Sequence, residues 1–153
     1  MSEVVKFDSA QSLSDAVGKT IGPGPWREVA QSRVDAFADA TDDHQWIHVD
    51  PSRAAAGPFG GTIAHGYLTL SLLPSLVGEL YRVSGARMGV NYGLNKVRFP
   101  APVPVGSRIR ASLVLQSVEP VDGGVQTVSR VTVETEGGGK PVCVAETVAR
   151  VYF

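Results

Sequence analysis

An aspartate and a histidine five residues apart are the best candidates in this chain for acid–base chemistry. Asp43 and His48 lie in a polar stretch that follows a predicted helix. A carboxylate and an imidazole turned toward one point can hold a water molecule, take a proton from it and supply a proton to carbon. In the structural alternative, Asp43 caps a turn and His48 packs half-buried against a neighbour. The pair alone does not decide between these interpretations.

A glycine-rich turn that leads into a long apolar segment is the second candidate. Gly60 and Gly61 lie in the turn, and His65 and Gly66 begin the apolar segment. The first N–H groups of a helix have no intrahelical partner and carry the positive end of its dipole. They can hold a carbonyl oxygen that gains negative charge, as an oxyanion hole does. The alternative is a plain loop whose glycines serve backbone geometry.

A metal site is a third possibility, because His44 and His48 are four residues apart, a zinc-like spacing if the segment is helical. Asp42, Asp43 and His65 are further possible ligands. The segment follows a helix end, however, and lacks the glutamate of the zinc-protease motif. We therefore predict no metal.

Weaker candidates for binding lie in and beyond this region. Lys96 and Arg98 share one face of a predicted strand and can meet phosphate groups, or they can form a solvated strand edge. Asn91 and Tyr92 either line a pocket or pack. Trp46 is either a wall of the site or a core anchor.

Composition limits the possible partners and location. The chain has 153 residues, enough for one domain, and a formal net charge of −1, so nucleic acid is not an expected partner. Cys143 is the only cysteine, which fits a reducing cytoplasm, and we interpret it as a small buried apolar residue. The first residues lack the apolar core of a signal peptide, and no apolar stretch is long enough to span a bilayer. We therefore expect a cytoplasmic protein without membrane contact.

The order of periodic patterns predicts an α+β fold. A helix that is apolar on all sides must be enclosed, so one antiparallel sheet is expected to cover the segment 66–81, which Pro74 should kink. We expect a single domain over 1–153, with 1–24 as an N-terminal extension. The predicted helices cover about 8–18, 31–41, 50–56 and 66–81, and the predicted strands cover 26–29, 88–99, 108–118, 125–136 and 141–153. Alternation in 108–118 places Ile109, Ala111, Leu113 and Leu115 on one face.

Three motifs in order carry a resemblance to a known family. They are the stretch 43–48, the pair His65 and Gly66 that opens the apolar helix, and the proline-rich stretch 97–106. Together they resemble the MaoC-like, (R)-specific enoyl-CoA hydratases (hydratase 2), especially the single-hotdog actinobacterial members also labelled nodulation-protein-N-like. The resemblance covers about residues 25–153.

This resemblance implies a hotdog fold, in which a curled antiparallel sheet wraps the central helix, and a homodimer with its two sheets side by side. It implies reversible hydration of trans-2-enoyl-CoA to (R)-3-hydroxyacyl-CoA without metal or redox cofactor. Asp43 and His48 match the pair that grips the water, and Gly66 matches the glycine whose N–H holds the thioester oxygen. Substrate contacts are expected from Gln45, Trp46, Ile63, Ala64, His65, Asn91, Tyr92, Lys96 and Arg98.

The chain departs from the family motif at several positions, and two other functions stay open. Asp42 replaces a glycine, Gln45 an asparagine and Trp46 a proline, and Pro74 stands where some members have a serine. One alternative is a hotdog acyl-CoA thioesterase, which typically sets a carboxylate on or beside the central helix. Glu79, at the far end, is the only acidic residue there. The other alternative is a non-catalytic acyl-CoA-binding subunit.

Overall fold

Long strands in the second half of the chain form most of one antiparallel sheet, as the alternating pattern predicts. The computed structural model describes residues 3–153. Its strands are β1 (Val5–Phe7), β2 (Thr20–Ile21), β3 (Arg27–Glu28), β4 (Tyr81–Val83), β5 (Met88–Arg98), β6 (Arg108–Val121), β7 (Gly124–Thr135) and β8 (Cys143–Tyr152). Its helices are α1 (Ala10–Asp15), α2 (Gln31–Thr41), α3 (Trp46–Val49), α4 (Pro51–Ala55), α5 (Gly66–Ser71) and α6 (Leu73–Gly78).

The main sheet has the strand order β2-β6-β7-β8-β5, with β3 also paired to β6. All of its pairings are antiparallel. One face of β6 is buried in the core, which confirms the predicted face formed by Ile109, Ala111, Leu113 and Leu115. At the other edge, β5 pairs only with β8 among the described residues, and its outer edge is free.

The apolar segment 66–81 forms two short helices instead of one kinked helix. The break lies at Leu72, and Pro74 falls in the first turn of α6, where a missing N–H removes no helical bond. The end of the predicted helix is wrong, because Tyr81 already belongs to β4. Tyr67 is 70% exposed, so the start of the segment is not enclosed on every side. Among residues 3–153, none of the helices is long and apolar enough for a membrane span.

The helices α5 and α6 nevertheless pack on the sheet in the expected hotdog arrangement. Leu68 and Thr69 of α5 and Leu73 and Leu76 of α6 are buried. They join the strands in one continuous hydrophobic core. The sheet therefore supports the start of α5, where Gly66 lies.

Residues of the predicted N-terminal extension pack on the same body. Strand β1 pairs in parallel with β4, and β2 pairs with β6. Leu13 and Ile21 are buried. The sequence did not indicate β1, β2 or β4, because two or three residues are too few to show a strand period. Residues 1–2 of the extension lie outside the described residues.

A short extended segment immediately before α5 pairs with the proline-rich stretch. The N–H of Ala64 donates to the carbonyl of Val103 at 2.8 Å, and the N–H of Val105 donates to the carbonyl of Thr62 at 2.9 Å. Ile63 and Pro104 form an isolated antiparallel bridge between these bonds. This pairing fixes the backbone immediately before Gly66.

Candidate active site

The end of α2 directs Asp43 toward the start of α5. Asp42 caps α2 in the left-handed conformation with φ 61°. Aspartate tolerates this conformation better than most residues, and glycine adopts it freely. The position is the one at which the resembled family has glycine, so the backbone turn accounts for that motif residue. After the turn, one helical turn, α3, places His48.

His48 is held by the backbone of the segment that precedes α5. Its Nδ1 lies 2.7 Å from the carbonyl oxygen of Ile63. A carbonyl can only accept, so Nδ1 carries the proton and Nε2 keeps its lone pair. Burial lowers the pKa of His48 and nearby His65 lowers it further, while the bond to Ile63 and the carboxylate of Asp43 act in the opposite direction. The ring is therefore a neutral imidazole with a free acceptor at neutral pH.

Asp43 lies beside this imidazole with its side chain half exposed. Its Oδ1 accepts from the N–H of Gln45 at 3.4 Å, and its Oδ2 is 4.0 Å from Nε2 of His65. One carboxylate oxygen of Asp43 and one ring nitrogen each of His48 and His65 lie within 4.8 Å of one another. The fold thus brings together the two residues that the five-residue spacing predicted would meet.

Asp43, His48 and His65 are also close enough together to act as metal ligands, but the arrangement of their rings disfavours that role. His44, considered as a ligand because of its spacing, instead pairs with Asp39 on the surface at 2.9 Å. The rings of His48 and His65 stack with centroids 3.8 Å apart and planes at 24°. Imidazole lone pairs lie in the ring plane, so two nearly parallel rings direct them side by side and not toward one ion.

A cleft of about 310 Å³ opens beside His48 and the start of α5. Its walls are mainly apolar. They are formed by His48, Phe59, Ile63, Ala64, Gly66, Thr69, Phe99, Pro100, Ala101, Pro102, Val103 and Val142. The cleft therefore combines one imidazole, that of His48, with surroundings suited to an apolar chain.

Gly66 is the first residue of α5 and lines the same cleft. A Cβ at this position would lie 2.9 Å from the ring of Phe99, so only glycine leaves room for that ring. Its N–H belongs to the first turn, whose donors have no intrahelical acceptor. Since α5 has only six residues, this N–H group, more than a helix dipole, is what the site can offer to a ligand oxygen.

Comparison with known proteins places this arrangement in a family. Residues 12–137 match the MaoC-like domain. The chain belongs to the MaoC-like family. It is 57% identical to 3-hydroxyacyl-thioester dehydratase Z of Mycobacterium tuberculosis over 145 residues, covering 94% of this chain and 96% of that protein. It is 44% identical to nodulation protein N of Rhizobium leguminosarum bv. viciae, covering 93% and 92%.

Solved structures confirm the hotdog fold of this MaoC-like chain. The R-hydratase PhaJ1 from Pseudomonas aeruginosa superposes with a TM-score of 0.69 at 24% identity, covering 89% of this chain and 81% of that chain. At this identity the likeness concerns the fold alone. The family assignment and the fold expected from the three sequence motifs are both confirmed.

The other predicted residues near the MaoC-like motifs divide into two groups. Ile63 and Ala64 line the cleft. Gln45 is exposed and provides the N-cap of α3, with no side-chain capping bond. Trp46 does not line the cleft among the described residues, and the guanidinium of Arg53 lies 4.4 Å from its ring centroid. Trp46 is therefore part of the outer packing of α3 and α4.

The predicted residues of β5 are not among the described residues that line the cleft. Asn91, Tyr92, Lys96 and Arg98 are exposed on the edge strand. The ring of Tyr92 is covered by the guanidinium of Arg150, 3.8 Å from its centroid. Arg98 directly precedes the cleft residue Phe99, so it lies next to the cleft.

Eight cleft residues, among them Pro100, Ala101 and Pro102 of the proline-rich motif, were not singled out from the sequence as members of the site. Phe99 and Val103 belong to the proline-rich motif, which was recognised only as a family feature. Thr69 is three residues after Gly66 on the same helix, and that spacing could have indicated it. Phe59 directly precedes Gly60 of the glycine-rich turn, and that position could have indicated it. Val142 comes from a distant part of the chain, and no local pattern links it to the site.

Proposed function

We propose that this MaoC-like protein is an (R)-specific enoyl-CoA hydratase, acting in reverse as a 3-hydroxyacyl-CoA dehydratase. One observation carries the proposal: His48, whose Nδ1 is held by Ile63, has a ring nitrogen within 4.8 Å of the carboxylate of Asp43 and lines the same cleft as Gly66. The relative that is named a 3-hydroxyacyl-thioester dehydratase supports the same chemistry.

In the proposed hydration, the thioester oxygen accepts the N–H of Gly66, and this polarises the conjugated double bond. A water held by His48 and Asp43 attacks Cβ while Nε2 of His48 takes one of its protons. Negative charge moves to the thioester oxygen, where the N–H stabilises it. The proton then returns to Cα from the same side, directly from His48 or through Asp43. One water molecule thus supplies both the hydroxyl and the hydrogen, and the addition is syn.

We further propose that coenzyme A, as part of the substrate, is the only non-protein group the reaction uses. Adding water to an activated double bond transfers no electrons. Cys143 is buried, and burial raises its pKa to about 11, so this thiol is poorly suited to act as a nucleophile. A single reduced thiol also fits the cytoplasmic location expected from the sequence.

The substrate fits the cleft by chemical type. Its walls, including Phe59 and Val142, suit an acyl chain. Arg98 and Lys96 are exposed cations near the cleft residue Phe99. We propose that they meet the phosphate groups of coenzyme A, because cations on a strand can pair with phosphate oxygens.

The thioesterase alternative is disfavoured because the central helices carry no carboxylate near the start of α5. Their only acidic residue, Glu79, instead caps the far end of α6. There its Oε1 pairs with Nη1 of Arg27 at 2.5 Å. The non-catalytic alternative is disfavoured because Asp43 and His48 are both present and adjacent.

A second copy of the chain is the proposed partner at the free edge of β5. Exposed apolar side chains line this strand, and such residues usually mark a contact surface when they cluster. They are Met88, Val90, Tyr92 and Leu94, which are 39% to 58% exposed. A homodimer with its two sheets side by side would cover them.

The test is a hydration assay on a series of trans-2-enoyl-CoA substrates of increasing chain length, with chiral analysis of the product. We expect (R)-3-hydroxyacyl-CoA and a preferred chain length. Parallel measurement of released thiol distinguishes the thioesterase. Release of free coenzyme A without hydration, or binding without turnover, would overturn the proposed activity.

A further inference from the structure

We propose that His65 is a positioning residue that holds both groups of the acid–base pair, through a hydrogen bond to the backbone of Asp43 and a ring stack on His48. This inference rests on the proposed hydratase function. His65 was expected from the sequence to contact substrate. Instead it is only 3% exposed and is not among the described residues that line the cleft.

The first contact fixes the backbone at Asp43. Nε2 of His65 lies 3.0 Å from the carbonyl oxygen of Asp43. The carbonyl can only accept, so the proton of the His65 ring is on Nε2. The carboxylate of Asp43 is half exposed and follows the left-handed turn at Asp42, so this partly buried bond anchors a segment that is otherwise near solvent.

The second contact fixes the plane of the His48 ring. His65 stacks on it with a centroid distance of 3.8 Å, and the other neighbour of His65 is the ring of Phe37, 4.9 Å away and tilted by 58°. The in-plane bond from His48 to Ile63 sets where Nε2 points. The stack prevents the ring from tilting out of that plane.

The remaining nitrogen of His65 has no evident structural task. Its Nδ1 is buried and finds no hydrogen-bond partner among residues 3–153. A histidine whose only task was to satisfy buried polar atoms would not leave one unpaired. The ring therefore contributes through its Nε2–H and its flat face, and both of these contact the acid–base pair.

Two substitutions separate these contributions. His65→Phe keeps an aromatic ring for the stack and removes the donor, whereas His65→Gln keeps an amide donor and removes the ring. We expect each to lower kcat about 10- to 100-fold with little change in KM, because small displacements of catalytic groups cost this much. The matched control is His44→Gln, which removes an exposed histidine outside the site and should leave kcat unchanged.

The pH profile supplies a readout that a merely structural role would not move. Asp43 and His65 are the charged or titratable groups that affect His48, and His65 lowers its pKa. Both His65 variants should therefore shift the acidic limb of the kcat/KM profile to higher pH, whereas His44→Gln should not.

The outcomes distinguish this inference from the proposed function. A wild-type protein that hydrates no enoyl-CoA overturns the function itself. An active wild type with His65 variants of unchanged kcat and unchanged acidic limb overturns only the role of His65. If the variants fail to fold, nitrogen NMR of the wild-type imidazoles decides. The inference requires a protonated Nε2 on His65 and a protonated Nδ1 on His48, and the opposite tautomers contradict it.

Discussion

Nδ1 of His48 donates to the carbonyl oxygen of Ile63 across 2.7 Å, and this one bond sets the chemical character of the site. It assigns the proton to the nitrogen that faces the protein and leaves Nε2 to accept. The acceptor is a backbone atom, so no side-chain substitution at Ile63 removes the bond directly. The reactive form of the imidazole is therefore specified by the path of the main chain.

Replacing either member of the acid–base pair should remove activity without unfolding the protein. Asp43→Asn and His48→Gln are each expected to lower kcat for crotonyl-CoA hydration by about 10²- to 10⁴-fold, the usual contribution of such groups. The surface pair Asp39 and His44 has the same five-residue spacing, so Asp39→Asn and His44→Gln are matched controls. Full hydration by Asp43→Asn or His48→Gln, with native circular dichroism, would refute the assignment.

The lowered pKa of His48 predicts a loss of stability in acid. The unfolded chain binds a proton at His48 near the ordinary value of about 6.5, whereas the folded chain resists protonation until a lower pH. Hence the contribution of His48 to the free energy of unfolding is complete above that value, declines as pH falls through it and levels off below the folded pKa. Urea unfolding across this pH range measures the decline.

The same experiment on His48→Gln provides the comparison, because glutamine does not titrate. The variant should show a shallower loss of stability over the window just below about pH 6.5. Identical slopes for wild type and His48→Gln would show that other groups cause the acid sensitivity.

Glycine at position 66 should be required for packing as well as for access to the N–H. In Gly66→Ala the new Cβ would lie 2.9 Å from the Phe99 ring, and overpacking of this kind costs about 1–3 kcal/mol. We expect a lower melting temperature and loss of hydration activity. Gly78→Ala, also in a helix but with nothing within 4 Å of its Cβ, is the control and should not destabilise the protein. Equal effects at both glycines would contradict this explanation.

A charge on the free sheet edge should separate the proposed dimer. Leu94 is 47% exposed on β5, and Leu94→Lys would place a cation in the apolar strip. We expect sedimentation to show dimer for the wild type and monomer for the variant. Val17→Lys changes an apolar residue of similar exposure, 40%, outside β5, and should leave the dimer intact. A monomeric wild type would remove the proposed interface.

The thiol of Cys143 should be unreactive in the native protein. It is fully buried at the start of β8, and its pKa of about 11 leaves almost no thiolate at neutral pH. Thiol reagents should label it only after denaturation, and the wild-type labelling rate should follow unfolding. Rapid labelling of the native chain would show that this end of the sheet opens.

Much of the framework could be predicted from local patterns. Alternation in β6 gave the buried face, and the buried Cys143 was identified from its isolation and apolar context. The single helix 66–81 was wrong in its end and in its continuity, because hydropathy does not show where a chain changes from helix to strand. The break at Leu72 and the strand at Tyr81 depend on packing against the sheet.

The site was only partly predictable for a similar reason. Asp43, His48 and Gly66 belong to short motifs, so their proximity could be anticipated. His65 was expected at the substrate, but it is buried, stacks on His48 and contacts Phe37, which comes from another helix. The walls at Phe59 and Val142 meet only in the folded chain. Sequence spacing indicates which residues share a local segment and does not show which face of a distant element they contact.

The acceptor for His48 and the N–H of Gly66 lie within one four-residue stretch that is bonded to Val103. The same backbone segment therefore holds these two groups at a fixed separation. In the proposed reaction this separation corresponds to the distance from the thioester oxygen to the carbon that receives the hydroxyl. That distance is the same in every 2-enoyl substrate. Substitutions at Phe59 or Val142 can therefore change the accepted acyl-chain length while the positions of the reacting groups stay the same.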